Sequence, residues 1–292
     1  MGFGVLFGIG LPWTPWRAPY TNFKWKKETA EKLQKDINDI LPTAETGLKK
    51  FKVLTIGTHG HGKSSLINTL ASISVGEKTT VCNAAPMDEN VTTHYRTFDF
   101  LGHLGNCVLG DICGPLPTAK DIQPMLDDIK AILKGNIKSG YKFDPKKSIS
   151  EQDDYFKESP KFSDRTHCVI IVIDSLQAYE LPPSYVLNME KIMKTINELN
   201  IPVIAVLTKA DLLSEHVEYS IASIFRCRKI QKSVDDTAKQ LKLPAPKVFP
   251  LVNFEAMDSF TWKESIPVLI TLKSFLRMAQ QHSRNADEVK KE

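Results

Sequence analysis

The chain has 292 residues, enough for one large core or for one core with a small appendage. Hydrophobic residues make up 42% and charged residues 25%, the balance of an ordinary globular protein, and a net charge of +4 is too mild to argue for a nucleic-acid partner. Five cysteines without a C-x-x-C pair exclude a disulfide framework and a zinc ribbon and point to a reducing compartment.

The first residues, Met1 to Leu11, are apolar and glycine-rich, with Phe3, Phe7, Trp13 and Trp16 as bulky members. They lack the basic start of a signal peptide. Two readings stand for them: a tail packed on the domain, or a hydrophobic anchor for a membrane or partner. No apolar run in the chain reaches the length of a bilayer span. The basic runs Lys24–Lys27, Lys49–Lys52 and Arg226–Lys232 read as solvated faces, with an anionic lipid or RNA surface as the alternative. Leu33, Ile37 and Ile40 share one face of a helix expected over 26–40, which Pro42 helps to end.

Phe51 to Ile56 then reads as a short apolar strand. Behind it, Gly57 to Ser64 spell G-T-H-G-H-G-K-S, which fits the phosphate-binding pattern G-x-x-x-x-G-K-[ST], and Ser65 to Leu70 continue as a helix. Strand, glycine loop and helix together give the pattern its physical sense. Backbone N–H groups at Gly60, His61 and Gly62 can wrap a phosphate, helped by the positive end of the helix. Lys63 would reach the β- and γ-phosphates, and the Ser64 hydroxyl would bind Mg²⁺, with Ser65 beside it.

Strands are expected over 95–101 and 106–109 around the turn 102–105, a helix over 121–133 and a buried strand over 167–173. There follow a helix over 184–199, a strand over 202–207, a helix over 226–241, a strand over 247–252 and a final helix over 263–281. This alternation predicts an α/β fold: a three-layer P-loop G domain with a mostly parallel central sheet and a short N-terminal helical extension. The division is 1–50 for the apolar segment and helix, 51–285 for the nucleotide domain with an insert at about 115–165, and 286–292 for a charged tail.

Other nucleotide contacts belong at the carboxyl ends of strands. Asp111-Ile112-Cys113-Gly114 fits D-x-x-G, where Asp111 would hold Mg²⁺ through water and the Gly114 N–H would meet the γ-phosphate. Thr208-Lys209-Ala210-Asp211 fits [NT]-K-x-D, whose carboxylate takes two hydrogen bonds from guanine that adenine does not offer. Asp211 could instead cap a helix. Asn253 falls where a last base-contacting loop belongs, and Thr92, with Thr93 second, is the threonine expected to complete the Mg²⁺ shell. The cofactors implied are GTP or GDP with Mg²⁺. Pro115 stands where a water-orienting Gln is usual, so hydrolysis is expected to be slow or absent. His59 and His61 could orient water or merely lend backbone N–H groups, and Arg165 is a candidate for distant help.

The segments Asp127-Asp128-Ile129, Ile132 to Gly135, Tyr141-Lys142-Phe143 and Asp164 to Val169 resemble the interferon-induced protein 44 family. So do Gly62 to Ser65 with Asn68, Leu207 to Lys209 with Asp211, and the early Pro15-Trp16-Arg17. The match runs from about residue 13 and takes in segments outside the common loops. His59 and His61 depart from it, standing where smaller or aliphatic residues are common. The resemblance implies a dynamin-superfamily-like G domain in a form without the TLDc domain of some members. It also implies a cytoplasmic, interferon-responsive protein of innate antiviral immunity. Expected partners are guanine nucleotide and a second copy or an immune-signalling protein, with membrane contact possible through the N-terminal segment.

Overall fold

A computed structural model describes residues 15–17, 24–82, 94–100, 102, 105–113, 121–179, 181–254 and 259–288. Six strands form one sheet in the order β2-β3-β1-β4-β5-β6: β1 Phe51–Gly57, β2 Arg96–Asp99, β3 Cys107–Cys113, β4 Cys168–Asp174, β5 Val203–Thr208 and β6 Val248–Pro250. Among the described strands, only β2 runs antiparallel to its neighbour. The predicted hairpin over 95–109 is this β2–β3 pair, in the register Phe98↔Leu109.

Alternation along the strands builds two helix layers. Cys168, Ile170 and Val172 of β4 join Phe51 and Val53 of β1 in one core. That core is closed by α1 Lys27–Asn38, α2 Lys63–Val75 and α8 Trp262–Glu288. Val169, Ile171 and Ile173 join Leu54 and Ile56 on the other face. There α3 Gln123–Lys134, α4 Pro183–Glu198 and the later turns of α7 Arg228–Gln240 cover the sheet. A strand such as β4, apolar at every position, is what burial on both faces requires. The result is the expected three-layer α/β fold with a mostly parallel sheet.

Two short helices, α5 Ala210–Leu213 and α6 Glu215–Tyr219, follow β5. The final helix is longer than its apolar periodicity, running on to Glu288. The helix α1 lies against α8 with Leu33 and Ile37 in the first core and an Asp36–Lys273 ion pair at the rim. Residues 15–17 are fastened to the domain: Trp16 N–H donates to Phe225 O at 3.0 Å, and Arg17 donates to the carbonyls of Val248 and Pro246 and lies over the Phe249 ring. Trp16 therefore packs on the domain. Phe3, Phe7 and Trp13 lie outside the described residues.

Strand order fixes where a ligand belongs. From β1 the chain moves to β3 on one side, and from β4 it moves to β5 on the other. The crevice at a doubly wound sheet opens where the order reverses, outside the carboxyl ends of β1 and β4.

Candidate nucleotide site

Gly57, the last residue of β1, has almost no room. A Cβ there would lie 2.4 Å from Val172 O of β4, so only glycine lets the two strands pass. The loop then turns through Gly60 and Gly62, both left-handed, and α2 starts at Lys63 with Gly62 as its N-cap. The helix N-terminus thus faces the crevice, where its free N–H groups and dipole favour an anion.

Inside the loop, Lys63 Nζ donates to Thr58 O at 3.2 Å, and His61 N–H donates to the same oxygen at 3.3 Å. Both groups expected to meet phosphate are held on one carbonyl, which a phosphate must replace. The Thr58 hydroxyl is buried and has no hydrogen-bond partner among the described residues. An orphaned polar atom in such a loop fits a ligand with acceptor oxygens.

His61 is only 3% exposed. Nδ1 lies 3.3 Å from Val172 O, Nε2 lies 3.1 Å from Gln177 Oε1, and the ring meets Tyr185 edge-on. Burial lowers its pKa, against the opposing pull of Gln177 and Val172. The ring is thus a brace between the loop and the segment after β4, with both nitrogens in contact with protein oxygens. His59 is partly exposed.

The T-K-x-D segment lies on the loop. Thr208 Oγ1 donates to His61 O at 2.7 Å, and Lys209 Nζ donates to Gly60 O at 2.9 Å. Asn253 Nδ2 donates to Gly62 O at 3.3 Å from the chain after β6. A side chain at Gly62 would press on Thr208 and Asn253, which explains its glycine as well as the turn does. Sequence reading did not identify Asp174, whose carboxylate pairs with Lys209 at 2.6 Å and accepts Leu176 N–H at 2.9 Å. Its place at the carboxyl end of β4 was the available signal. Ser175 joins the same cluster by donating to Lys209 O.

Asp211 lies in the first turn of α5, while the N-cap position is Lys209, in a left-handed conformation. The helix-cap alternative is therefore corrected: Asp211 is two positions past the N-cap, and its partly buried carboxylate stays available.

Asp111 is not beyond its strand. It pairs with Thr55 inside β3, which continues to Cys113. Asp111 and Thr55 face the α2 layer, with the Thr55 hydroxyl 3.1 Å from Asp111 Oδ1. Burial raises the Asp111 pKa, offset by the charge of Lys63 and by Thr55. Ser64, the second residue of α2, and Asp111 are the described members of the Mg²⁺ set expected with Thr92. No group of three His, Cys, Asp or Glu residues forms a metal cluster among the described residues. A Mg²⁺ at a phosphate loop takes only one or two protein oxygens, with phosphate and water supplying the rest, so this donor set fits it. Thr92, Thr93, Gly114 and Pro115 lie outside the described residues.

Arg165 is at the other pole. It follows a helical turn, Phe162–Asp164, that touches the beginning of β1, and Lys52 donates to Asp164 O at 3.0 Å. At ~3.3 Å per strand residue, roughly 20 Å of β1 separate it from the loop. It cannot serve the phosphates of its own chain.

No family model matches the chain. It is 28% identical over 256 residues to human interferon-induced protein 44-like, covering 87% of this chain and 56% of that protein. Human interferon-induced protein 44 is 24% identical over 231 residues, 78% of this chain and 52% of that protein. The chain spans about half the length of the curated relatives it matches. A solved structure described as a probable GTP-binding protein engB superposes with a TM-score of 0.45 at 16% identity, over 79% of this chain and 99% of that one. No described helix is long and apolar enough to cross a membrane. Over most of its length the chain is a homologue of the proteins named interferon-induced protein 44, as its sequence segments indicate.

Proposed function

We propose that this chain binds guanine nucleotide with Mg²⁺ through the loop 57–64, with slow or absent intrinsic hydrolysis, in an interferon-induced role. The observation that carries the reading is the meeting of the phosphate loop, the T-K-x-D segment and Asn253 in one crevice. Thr208 and Lys209 of the base-reading motif, and Asn253, hydrogen-bond the carbonyls of the phosphate loop itself.

In this reading the phosphates sit at the N-terminus of α2 on the N–H groups of 60–64, and Lys63 gives up Thr58 O to bind them. Ser64 and Asp111 would hold the Mg²⁺, which neutralises charge on the β- and γ-phosphates. Asp211 accepts from the guanine N1–H and 2-amino groups, while Lys209 lies over the loop and is held by Asp174. Slow hydrolysis is supported by the His61 ring, which is occupied by Val172 and Gln177, and by the distance of Arg165. The interferon-induced role rests on the names of the relatives.

The test is a titration of the full chain with fluorescent GTP, with and without Mg²⁺, beside Lys63→Ala. The wild type is expected to bind more tightly with Mg²⁺. Lys63→Ala is expected to lose about a hundredfold or more in affinity with an unchanged melting temperature, because a charge-assisted bond to phosphate is lost. Equal GTP affinity in the two proteins rejects the loop assignment. Multiple-turnover phosphate release then reads hydrolysis.

A further inference from the structure

The basic run Lys49–Lys52 does not form a uniform solvated face. At the amino end of β1, some twenty ångströms from the phosphate loop by strand length, a groove of about 450 Å³ is lined by Lys49, Lys50, Lys52 and Lys161, with Thr97 and Ser163 as hydroxyl neighbours. Val108 of β3, the register partner of Lys52, supplies an apolar floor. Phe51 points the other way, into the first core.

The charges here do not cancel. Lys50 is paired with Asp99. The Asp164 carboxylate is engaged by Lys157 at 2.6 Å and by the Lys161 backbone N–H at 2.7 Å. Lys52 Nζ donates to the Asp164 carbonyl, a neutral acceptor, and lies over the Tyr95 ring. Burial lowers its pKa, against the opposing pull of the Asp164 charge, and Lys52 has no ion pair among the described residues. Lys49 and Lys161 are exposed and have no ion pair among the described residues. A groove of this size suits a small molecule. Lysines at separate points on its wall suit dispersed phosphate dianions better than one planar carboxylate, since each acts as a point charge.

We propose that this groove is a second anion site, separate from the nucleotide crevice, which takes a compact polyol carrying several phosphate monoesters. The ring of the polyol lies on Val108, Thr97 and Ser163 donate to its oxygens, and Lys49, Lys52 and Lys161 neutralise the phosphates. The same chemistry occurs in a free polyol polyphosphate and in a phosphorylated lipid headgroup. The site does not depend on the nucleotide reading.

The experiment titrates the full chain with inositol hexakisphosphate at physiological salt and measures its flotation with phosphatidylcholine vesicles, with and without phosphatidylinositol bisphosphate. Proteins compared are the wild type, Lys49→Gln with Lys161→Gln, Lys52→Gln and Lys63→Ala. Inositol hexakisphosphate binding that survives in Lys63→Ala and falls about tenfold in the Lys49/Lys161 pair supports the site with a soluble ligand. Flotation that needs the bisphosphate lipid and is lost in the same pair supports it with a headgroup. The paired substitutions are at exposed positions, so their fold is checked by an unchanged melting temperature and unchanged GTP affinity. Equal affinity across all the lysine variants, or loss only in Lys63→Ala, overturns the proposal. Tighter binding of double-stranded RNA with the same lysine dependence also overturns it, since the groove would then serve a nucleic-acid backbone.

Discussion

In the proposed reading Asp211 separates one purine from the other, and its position makes that role testable. It sits in the first turn of α5, next to Lys209, whose ammonium reaches over the loop to Gly60 O and Asp174. A carboxylate is acceptor-only and matches the two donors of guanine. Asp211→Asn keeps one acceptor and gains a donor, which matches xanthine. Losing a charge-assisted bond costs roughly 1.5–3 kcal/mol, so GTP affinity should fall about ten- to a hundredfold while XTP gains. Competition binding of GTP and XTP on both proteins checks this, and an unchanged ratio removes Asp211 from base recognition. The T-K-x-D pattern could be read from four adjacent letters. Asp174 could not, because a lone acid at a strand end spells no pattern and its partner is 35 residues away. The direction of the His61 ring was equally hidden, since it is set by Gln177 and Val172 across the sheet.

Between elements, β1 passes β4 closely at Gly57. Gly57→Ala puts a methyl within 2.4 Å of Val172 O, and backbone on that side cannot give way as a side-chain tip can. Overpacking of this kind costs about 1–3 kcal/mol, and the shifted loop should weaken nucleotide binding too. Urea unfolding and GTP titration of the variant measure the two effects, and wild-type values in both would contradict the contact. Long elements were legible because burial imposes a period. β4 is apolar at every position, and α4 and α7 repeat their apolar residues at helical spacing. The short helices α5 and α6 were missed because four or five residues carry no period. The end of β3 was misplaced because Gly110 and Asp111 look like a stop. In the fold Asp111 is paired with Thr55 on β1, and the strand continues.

For the molecule as a whole, pH reports on a buried histidine. His167 is fully buried, accepts the Lys52 N–H at Nδ1 and has Phe51 and Phe162 edge-on to its ring. Burial, with some repulsion from His282, pushes its pKa down to about 4. The unfolded chain protonates it near its ordinary value of 6.5. Stability from this group is therefore complete above about pH 6.5 and is lost as pH falls toward 4, by roughly 3 kcal/mol in all. His61 and His282 shift the same way, and Asp111 shifts oppositely, so the difference between wild type and His167→Gln isolates the effect. Urea midpoints from pH 7 to 4 should converge for the two proteins as pH falls, and parallel curves would contradict a neutral buried His167. The crevice at the carboxyl ends of β1 and β4, where the phosphate loop meets Thr208, Lys209 and Asn253, is the proposed guanine-nucleotide site. Its most direct test is displacement of fluorescent GTP from the wild-type chain in Mg²⁺ by unlabelled GTP, GDP and ATP. Displacement by GTP and GDP at concentrations at least tenfold below those needed for ATP is the result expected from a charge-assisted base contact. Absence of GTP binding, or equal displacement by ATP, would contradict it.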